Sequence, residues 1–366
     1  MERIMTVVGT RPEAIKLCPL IRELKKRGRW EILVCSTGQH RTMLDSALEA
    51  FDIRPDFDLD VMRTGQTLSS TTARILKGID EILDAEKPSL VLVQGDTTTA
   101  FGGALSAFHK RIPVGHVEAG LRTYHMDSPF PEEFHREAIS LLSTYHFAPT
   151  VTAKKNLVKE GRRESSICIT GNTVVDALRF TLTEKKPCGR MMLPPDTRLL
   201  IFTAHRRESF GAPIRAMLRA LRRLVEQYED IVAICPMHHN PEVRSAANEI
   251  LRGVPRICMI EPPEIVTFHH LLARAHLVIT DSGGIQEEAV ALGIPTLVTR
   301  FSTERCEGIR AGVLRLAGTD EEGIFDLGKR LLEPDSEEYA LMRKPSAIFG
   351  DGRASVRIAD YLEKVL

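Results

Sequence analysis

Apolar residues along this chain follow two alternating rhythms. Short runs rich in β-branched residues (Ile4 to Val8, Ile32 to Ser36, Leu90 to Gln94, Val114 to Val117, Tyr145 to Ala148) are each bounded by Gly, Pro or Asp and read as buried strands. Between them lie longer segments at helical spacing, such as Ile15 to Lys26, where Ile15, Cys18, Ile21 and Leu24 share one stripe. Strand and helix in alternation predict a parallel sheet with helices on both faces. A second series of the same kind comprises Leu200 to Thr203, Ile231 to Cys235, Ile257 to Ile260, Leu277 to Thr280, Thr296 to Val298 and Val313 to Leu316. The pattern thus predicts two Rossmann-like α/β domains. The last strand of the first series, Ile167 to Ile169, ends at Gly171-Asn172, and a polar, Pro-containing stretch from Glu184 to Arg198 leads into the second. We place the boundary near residue 172, giving domains 1–172 and 173–352, followed by an apolar-faced helix within 353–366.

Composition narrows the function. A chain of 366 residues with 43% apolar residues can bury two cores. Lys plus Arg equals Asp plus Glu at 49 each, so nothing in the net charge calls for nucleic acid or an anionic membrane as partner, and any anion site must be local. The seven cysteines (Cys18, Cys35, Cys168, Cys188, Cys235, Cys258, Cys306) are odd in number and form no C-x-x-C pair. That usage fits buried thiols in a reducing, cytoplasmic compartment better than disulfides or zinc. No apolar run approaches the roughly twenty residues of a membrane span, and the chain enters an expected strand at once without a signal-peptide pattern. A soluble, unsecreted protein is expected.

Paired α/β domains bind ligands at the carboxyl ends of their strands, so chemistry is sought there. In GTRPEAIK (residues 9–16), Thr10 and Glu13 fit a capping box and Pro12 suits a first turn. Arg11 does not fit, because a cation at the positive end of a helix dipole asks for a nearby anion. Lys16 has a local alternative partner in Glu13 at i,i+3. In ITDSGGIQEEA (279–289) a strand ends at Asp281, turns through Ser282-Gly283-Gly284 and starts a helix ending near Gly293, a pattern suited to cradling phosphate. Glu288, one turn on, could bond ribose hydroxyls; an ordinary turn with acidic residues complementing the dipole is the alternative. QGDTTTA puts Asp96 past a strand, where capping is the usual role. GHVEAGLRT places Glu118 at a strand end, and PFPEEFHR adds Glu132 and Glu133. Such acidic sites can share acid and base roles. TAHRRESFG sets His205, Arg206 and Arg207 after a strand, as an anion or leaving-group site. HHNPEV (His238, His239) lacks metal-ligand spacing, and no metal is expected. No G-x-G-x-x-G, P-loop or G-x-S-x-G follows any strand, which argues against nicotinamide, P-loop phosphoryl transfer and serine hydrolysis.

Taken in order, GTRPEAIK, QGDTTTA, GHVEAGLRT, PFPEE, ITGNTVVDA, TAHRRESFG, H-x-NP, DSGGIQEEA, TER, AGTD and the terminal GDG closely resemble the non-hydrolysing UDP-N-acetylglucosamine 2-epimerases over essentially the whole chain. The resemblance implies two Rossmann-like domains in a glycosyltransferase-B-like arrangement with the active site in the interdomain cleft, a C-terminal helix crossing back onto the first domain, and a homodimer. It implies interconversion of UDP-GlcNAc and UDP-ManNAc through UDP elimination and 2-acetamidoglucal, with no metal or nicotinamide cofactor, in the service of surface-polysaccharide synthesis; the alternatives are a hydrolysing epimerase that releases ManNAc, an epimerase of a related UDP-diacetamido sugar, and a non-catalytic UDP-sugar sensor. It further implies Asp96, Glu118, Glu132 and His205 as catalytic groups, and Arg11, Lys16, Phe268, Ser282, Gly283, Gly284, Glu288 and Arg305 as ligands of the nucleotide sugar. Gln39, His40, Arg207 and His238 resemble part of an allosteric UDP-GlcNAc site, although Gly65 stands where some members have an arginine ligand. The chain also departs where the family often reads Arg-Asp-Thr-Thr-Glu-Arg-Pro-Glu, having Phe301-Ser302 for Asp-Thr and Cys306 for Pro around Thr303-Glu304-Arg305, and Pro263 stands where some members have a uridine-contacting Gln.

Overall fold

The first apolar run forms β1 (Arg3–Val8), in which Ile4, Met5, Val7 and Val8 are fully buried, as a strand covered on both faces requires. The computed structural model to which it belongs describes residues 1–38, 41–63, 65–187, 194, 196–204, 206 and 209–366. Two units emerge, Met1–Phe180 with Phe349–Leu366, and Thr181–Ile348.

In the first unit β1 is followed by α1 (Arg11–Arg27), β2 (Glu31–Ser36), α2 (Arg41–Ala50), β3 (Phe57–Asp58), α3 (Leu68–Glu86), β4 (Leu90–Gln94), α4 (Thr98–His109), β5 (Val114–Val117), α5 (Glu132–Leu142), β6 (Tyr145–Ala148), α6 (Val151–Lys159), β7 (Ile167–Ile169) and α7 (Thr173–Glu184). Among the described residues its strands lie in the order β3-β2-β1-β4-β5-β6-β7, all pairs parallel. The winding reverses between β1 and β4, and the loops beyond their carboxyl ends are the ligand-binding place of such a sheet. Among the described strands only β3, two residues long, escaped the apolar pattern.

The second unit runs through β8 (Arg198–Thr203), α8 (Ala212–Gln227), β9 (Ile231–Pro236), α9 (Pro241–Leu251), β10 (Ile257–Ile260), α10 (Ile265–Leu272), β11 (Ala275–Thr280), α11 (Gly283–Leu292), β12 (Thr296–Val298), α12 (Cys306–Arg310), β13 (Leu314–Leu316), α13 (Glu321–Leu332) and α14 (Glu337–Met342). Its parallel sheet has the order β10-β9-β8-β11-β12-β13, with the reversal between β8 and β11. The closing helix α15 (Ala354–Val365) belongs to the first unit. Arg27 on α1 holds it through ion pairs to Asp360 (2.7 Å) and Glu363 (3.0 Å).

The first unit extends to Phe180, beyond the boundary expected near residue 172. Side chains of α7 explain this. The Asp176 carboxylate accepts the backbone N–H groups of Ala354 (3.1 Å) and Ser355 (2.7 Å), capping α15 from outside, and Phe180 stacks on Phe51 with ring centroids 5.0 Å apart. Among the described residues no helix is long and apolar enough to cross a membrane.

Candidate active site

The turn after β1 begins as the sequence suggests. Thr10 caps α1, and Oε2 of Glu13 accepts from Gly9 N–H (3.1 Å) and from the Thr10 hydroxyl (2.7 Å), closing the capping box. Helix initiation does not exhaust Glu13, however. Its Oε1 accepts a 2.6 Å bond from the hydroxyl of Thr97, in the turn after β4. Glu13 therefore joins the two turns that flank the reversal of the sheet. Burial pushes its carboxyl up to about 7, against the pull of the hydroxyl and N–H donors around it. Arg11, the first residue of α1, is half-buried beside this joint.

Asp96 sits in that second turn but does not cap α4. Thr97 does so, its hydroxyl accepting from Ala100 N–H (3.0 Å). The Asp96 carboxylate instead receives the guanidinium of Arg136, and its backbone carbonyl accepts from Nδ1 of His135 (2.9 Å). His135 is fixed in turn by stacking on Phe101, with centroids 5.1 Å apart and planes 9° from parallel. Glu118 follows β5 directly and has a left-handed backbone (φ 65°), a conformation that costs a non-glycine residue about 1 kcal/mol and collects at functional sites. One oxygen of its carboxylate, Oε2, accepts both the Lys16 ammonium and the Asn172 side-chain amide, the latter at 2.7 Å. Lys16 thus pairs with a carboxylate 102 positions away rather than with Glu13, and both partners are nearly buried, at 10% and 7% exposure.

Of the two neighbouring glutamates, Glu133 is committed to the fold. Its Oε1 accepts the N–H groups of Thr123 (2.9 Å) and Tyr124 (2.8 Å), and its Oε2 lies 3.3 Å from Arg136. Glu132 is half-buried as the first residue of α5, one turn before Arg136. The first unit therefore brings together Lys16, Glu118 and Asn172, and separately Asp96, Arg136 and His135. All stand at or beyond the carboxyl edge of one parallel sheet.

The second unit places Ser282, Gly283 and Gly284 where β11 gives way to α11. Ser282 is the N-cap residue, but its hydroxyl makes no capping bond, and the first turn holds no acidic residue, so dipole complementation by acids is not the role of this turn. The two glycines differ. A Cβ on Gly283 would lie 2.6 Å from Nη1 of Arg305, whereas a Cβ on Gly284 would meet nothing within 4 Å. Arg305 is thus pressed against the start of α11. Its Nε donates to Glu287 (2.7 Å) and its Nη1 to Glu304 (2.5 Å), and Glu304 also takes Arg300 (2.8 Å) and Arg206 (3.3 Å). Asp281 is fully buried and faces the turn after β8, accepting from Arg206 N–H (3.0 Å) and the Ser209 hydroxyl (3.1 Å). Phe268 is buried on α10, and Glu288 on α11 accepts from the neighbouring His269 at 3.2 Å. His238 is exposed after β9, where its Nδ1 accepts from Asn240 N–H (3.3 Å) and shapes the turn into α9. His205, Gln39, His40 and Arg207 lie outside the described residues. Among the described residues no three His, Cys, Asp or Glu side chains gather as a metal site.

Sequence reasoning did not single out His135, Arg136, Asn172 or His269. Arg136 carried a signal, since it stands at i+4 and i+3 from Glu132 and Glu133 on one helix; Asn172 and His269 carried none beyond their place in a turn and in an apolar helix. Chemically, the first unit offers carboxylates fixed by cations, fit for moving a proton. The second offers backbone N–H groups at a helix start, a buried arginine cluster, an aromatic ring and a carboxylate, fit for a nucleoside diphosphate.

A family model described as UDP-N-acetylglucosamine 2-epimerase matches residues 22–363. The UDP-N-acetylglucosamine 2-epimerase of Bacillus subtilis is 49% identical over 360 residues, covering 98% of this chain and 94% of the relative. Among solved structures, UDP-GlcNAc 2-epimerase from Neisseria meningitidis bound to UDP-GlcNAc superposes with a TM-score of 0.95 at 40% identity, over 99% of this chain and 100% of that one. The Methanocaldococcus jannaschii enzyme in complex with UDP-GlcNAc and UDP does so at 0.84 and 31%, over 100% of both chains.

Proposed function

The chain belongs to the UDP-N-acetylglucosamine 2-epimerase family, and from that premise we propose that it interconverts UDP-GlcNAc and UDP-ManNAc by eliminating UDP and adding it back. The observation that carries this reading is the anchoring of two carboxylates, Glu118 by Lys16 and Asp96 by Arg136, at the carboxyl edge of one sheet.

The C2 hydrogen of the sugar is not α to a carbonyl, so a side-chain base cannot remove it to leave a free carbanion at acceptable cost. Elimination avoids that. The C–H electron pair becomes the C1=C2 bond as the C1–O bond to UDP breaks, giving 2-acetamidoglucal and UDP. In the return step a phosphate oxygen of UDP bonds to C1 and a proton reaches C2 from the opposite face. One group must take a proton and another must deliver one, and Asp96, Glu118 and Glu132 are the proposed set. His205 is proposed for the leaving group. Within the second unit Ser282, Gly283 and Gly284 would hold the diphosphate with Arg305, Phe268 the uracil, and Glu288 the ribose; Arg11 and Lys16 are the ligands proposed from the first unit. Free UDP must be retained between the steps, which suits a preorganised set of N–H groups and cations.

Incubation with UDP-GlcNAc in D2O, followed by proton NMR, tests the proposal. Deuterium at C2 with UDP-ManNAc appearing supports it. Free ManNAc would show hydrolysis instead, and no exchange would remove this substrate from consideration.

A further inference from the structure

Helix α10 carries Phe268 and His269 side by side, both buried, yet only the first has a place in the reading above. His269 has no exposure at all, and both ring nitrogens are engaged: Nδ1 lies 2.6 Å from the hydroxyl of Thr181, and Nε2 lies 3.2 Å from Oε1 of Glu288. The next histidine, His270, turns elsewhere, to the carbonyl of Lys185 at 3.2 Å.

A neutral imidazole has one N–H, so the two contacts of His269 constrain each other. Glu288 Oε1 can only accept. A hydroxyl can donate to Nδ1, which leaves the proton on Nε2, where it points at Glu288. The other tautomer would set a lone pair against a carboxylate oxygen. The consequence falls on Glu288, which is 4% exposed, in the second turn of the helix that opens with Ser282-Gly283-Gly284. A glutamate there has several rotamers, and recognition of two adjacent hydroxyls needs one of them held.

We propose that His269 is the positioning residue for ribose recognition: Thr181 holds it as the Nε2–H tautomer, it fixes Oε1 of Glu288, and the other carboxylate oxygen is thereby aimed at the ribose hydroxyls. This rests on the reading of Glu288 as the ribose ligand.

The test compares the affinities of the full chain for UDP and for 2′,3′-dideoxy-UDP by calorimetry, in the wild type, Glu288→Ala, His269→Gln, His269→Asn and Thr181→Val. A charge-assisted buried bond corresponds to roughly a 10–100-fold preference of the wild type for UDP. His269→Gln places its amide nitrogen near the position of Nε2 and should keep that preference within about threefold. His269→Asn reproduces Nδ1 only and should lose most of it, as should Glu288→Ala; Thr181→Val should fall between. A merely structural role would weaken both ligands alike and leave the ratio unchanged. Equal ratios in the Gln and Asn variants overturn the positioning role while leaving Glu288 as ribose ligand. No preference in the wild type, or a preference that survives Glu288→Ala, overturns the reading of Glu288 itself and the inference with it.

Discussion

Replacing Glu13 by Gln should change how the stability of the first unit depends on pH, by an amount that follows from the burial of one carboxyl. Glu13 is 1% exposed and its carboxyl is raised from 4.5 to about 7, chiefly by desolvation. The sign is that of a raised acid. Below pH 4.5 the group is protonated whether the chain is folded or not. Between 4.5 and 7 the unfolded chain releases a proton that the folded one keeps, so stability falls as pH rises, and above 7 the loss is complete. At roughly 1.4 kcal/mol per pH unit the total is about 3.5 kcal/mol, of which about 2.5 kcal/mol falls between pH 5 and pH 8. Gln keeps the joint, because its carbonyl can accept from Gly9 N–H and Thr10 while its NH2 donates to the Thr97 hydroxyl, but it has nothing to titrate. The only tryptophan, Trp30, is 3% exposed in the same unit, so its fluorescence during urea unfolding reports on this half alone. The stability of E13Q minus that of the wild type should therefore rise by about 2.5 kcal/mol from pH 5 to pH 8. A difference constant to within about 0.5 kcal/mol would refute the reasoning, since every other titrating group is common to both proteins.

Other substitutions separate the roles of neighbouring residues. Asn172→Asp sets a second carboxylate against Oε2 of Glu118, now 2.7 Å from the amide nitrogen, and should move the acid limb of the kcat/KM profile up by about one pH unit or more; an unmoved limb would detach Glu118 from the proton transfer. Asp96→Asn should lower kcat by at least about 100-fold while UDP binding, read by calorimetry, stays within about threefold; normal turnover would remove Asp96 from the acid-base set. Gly284→Ala meets nothing in the fold, so its melting temperature should match the wild type, while UDP affinity falls by roughly tenfold or more if the N–H groups there cradle phosphate. Unchanged affinity would place the diphosphate elsewhere.

The parts of this molecule legible in sequence are those whose cause is local. Parallel strands buried on both faces write continuous apolar runs, and all but the two-residue β3 could be read. The turn Ser282-Gly283-Gly284 was legible as the passage from a strand to a helix. The reason for Gly283 was not, because it is the guanidinium of Arg305, 22 positions on, that would collide with a Cβ. Lys16 shows the same limit. Helical spacing offers Glu13 as its partner, and the real partner is Glu118, brought close by the pairing of β1 with β4 and of β4 with β5. The family pattern reached Glu118 and Asp96 without their geometry. It did not reveal that His135 and Arg136 hold the backbone and the carboxylate of the same aspartate.

What the structure adds is a common device at the reversal of each sheet. In the first unit, Thr97 donates to Glu13 across the turns after β1 and β4. In the second, the hydroxyls of Thr203 and Thr280 meet at 2.6 Å, and Asp281 receives Arg206 N–H, across the turns after β8 and β11. These are buried polar contacts between strands adjacent in space and distant in sequence, and each is worth its desolvation only when both partners are in place. Residues proposed for the site are one to three positions away: the ligand Arg11 and the acid-base group Asp96 beside the first joint, the ligands Ser282 and Gly283 beside the second. It follows that some residues of these motifs serve another segment of the fold. Glu13 in GTRPEAIK answers Thr97 in QGDTTTA, and Asp176 in ITGNTVVDA answers the start of α15. A substitution at such a position can therefore displace a ligand-facing side chain without touching the ligand, and its effect on binding should track the geometry of the turn rather than the charge it removes.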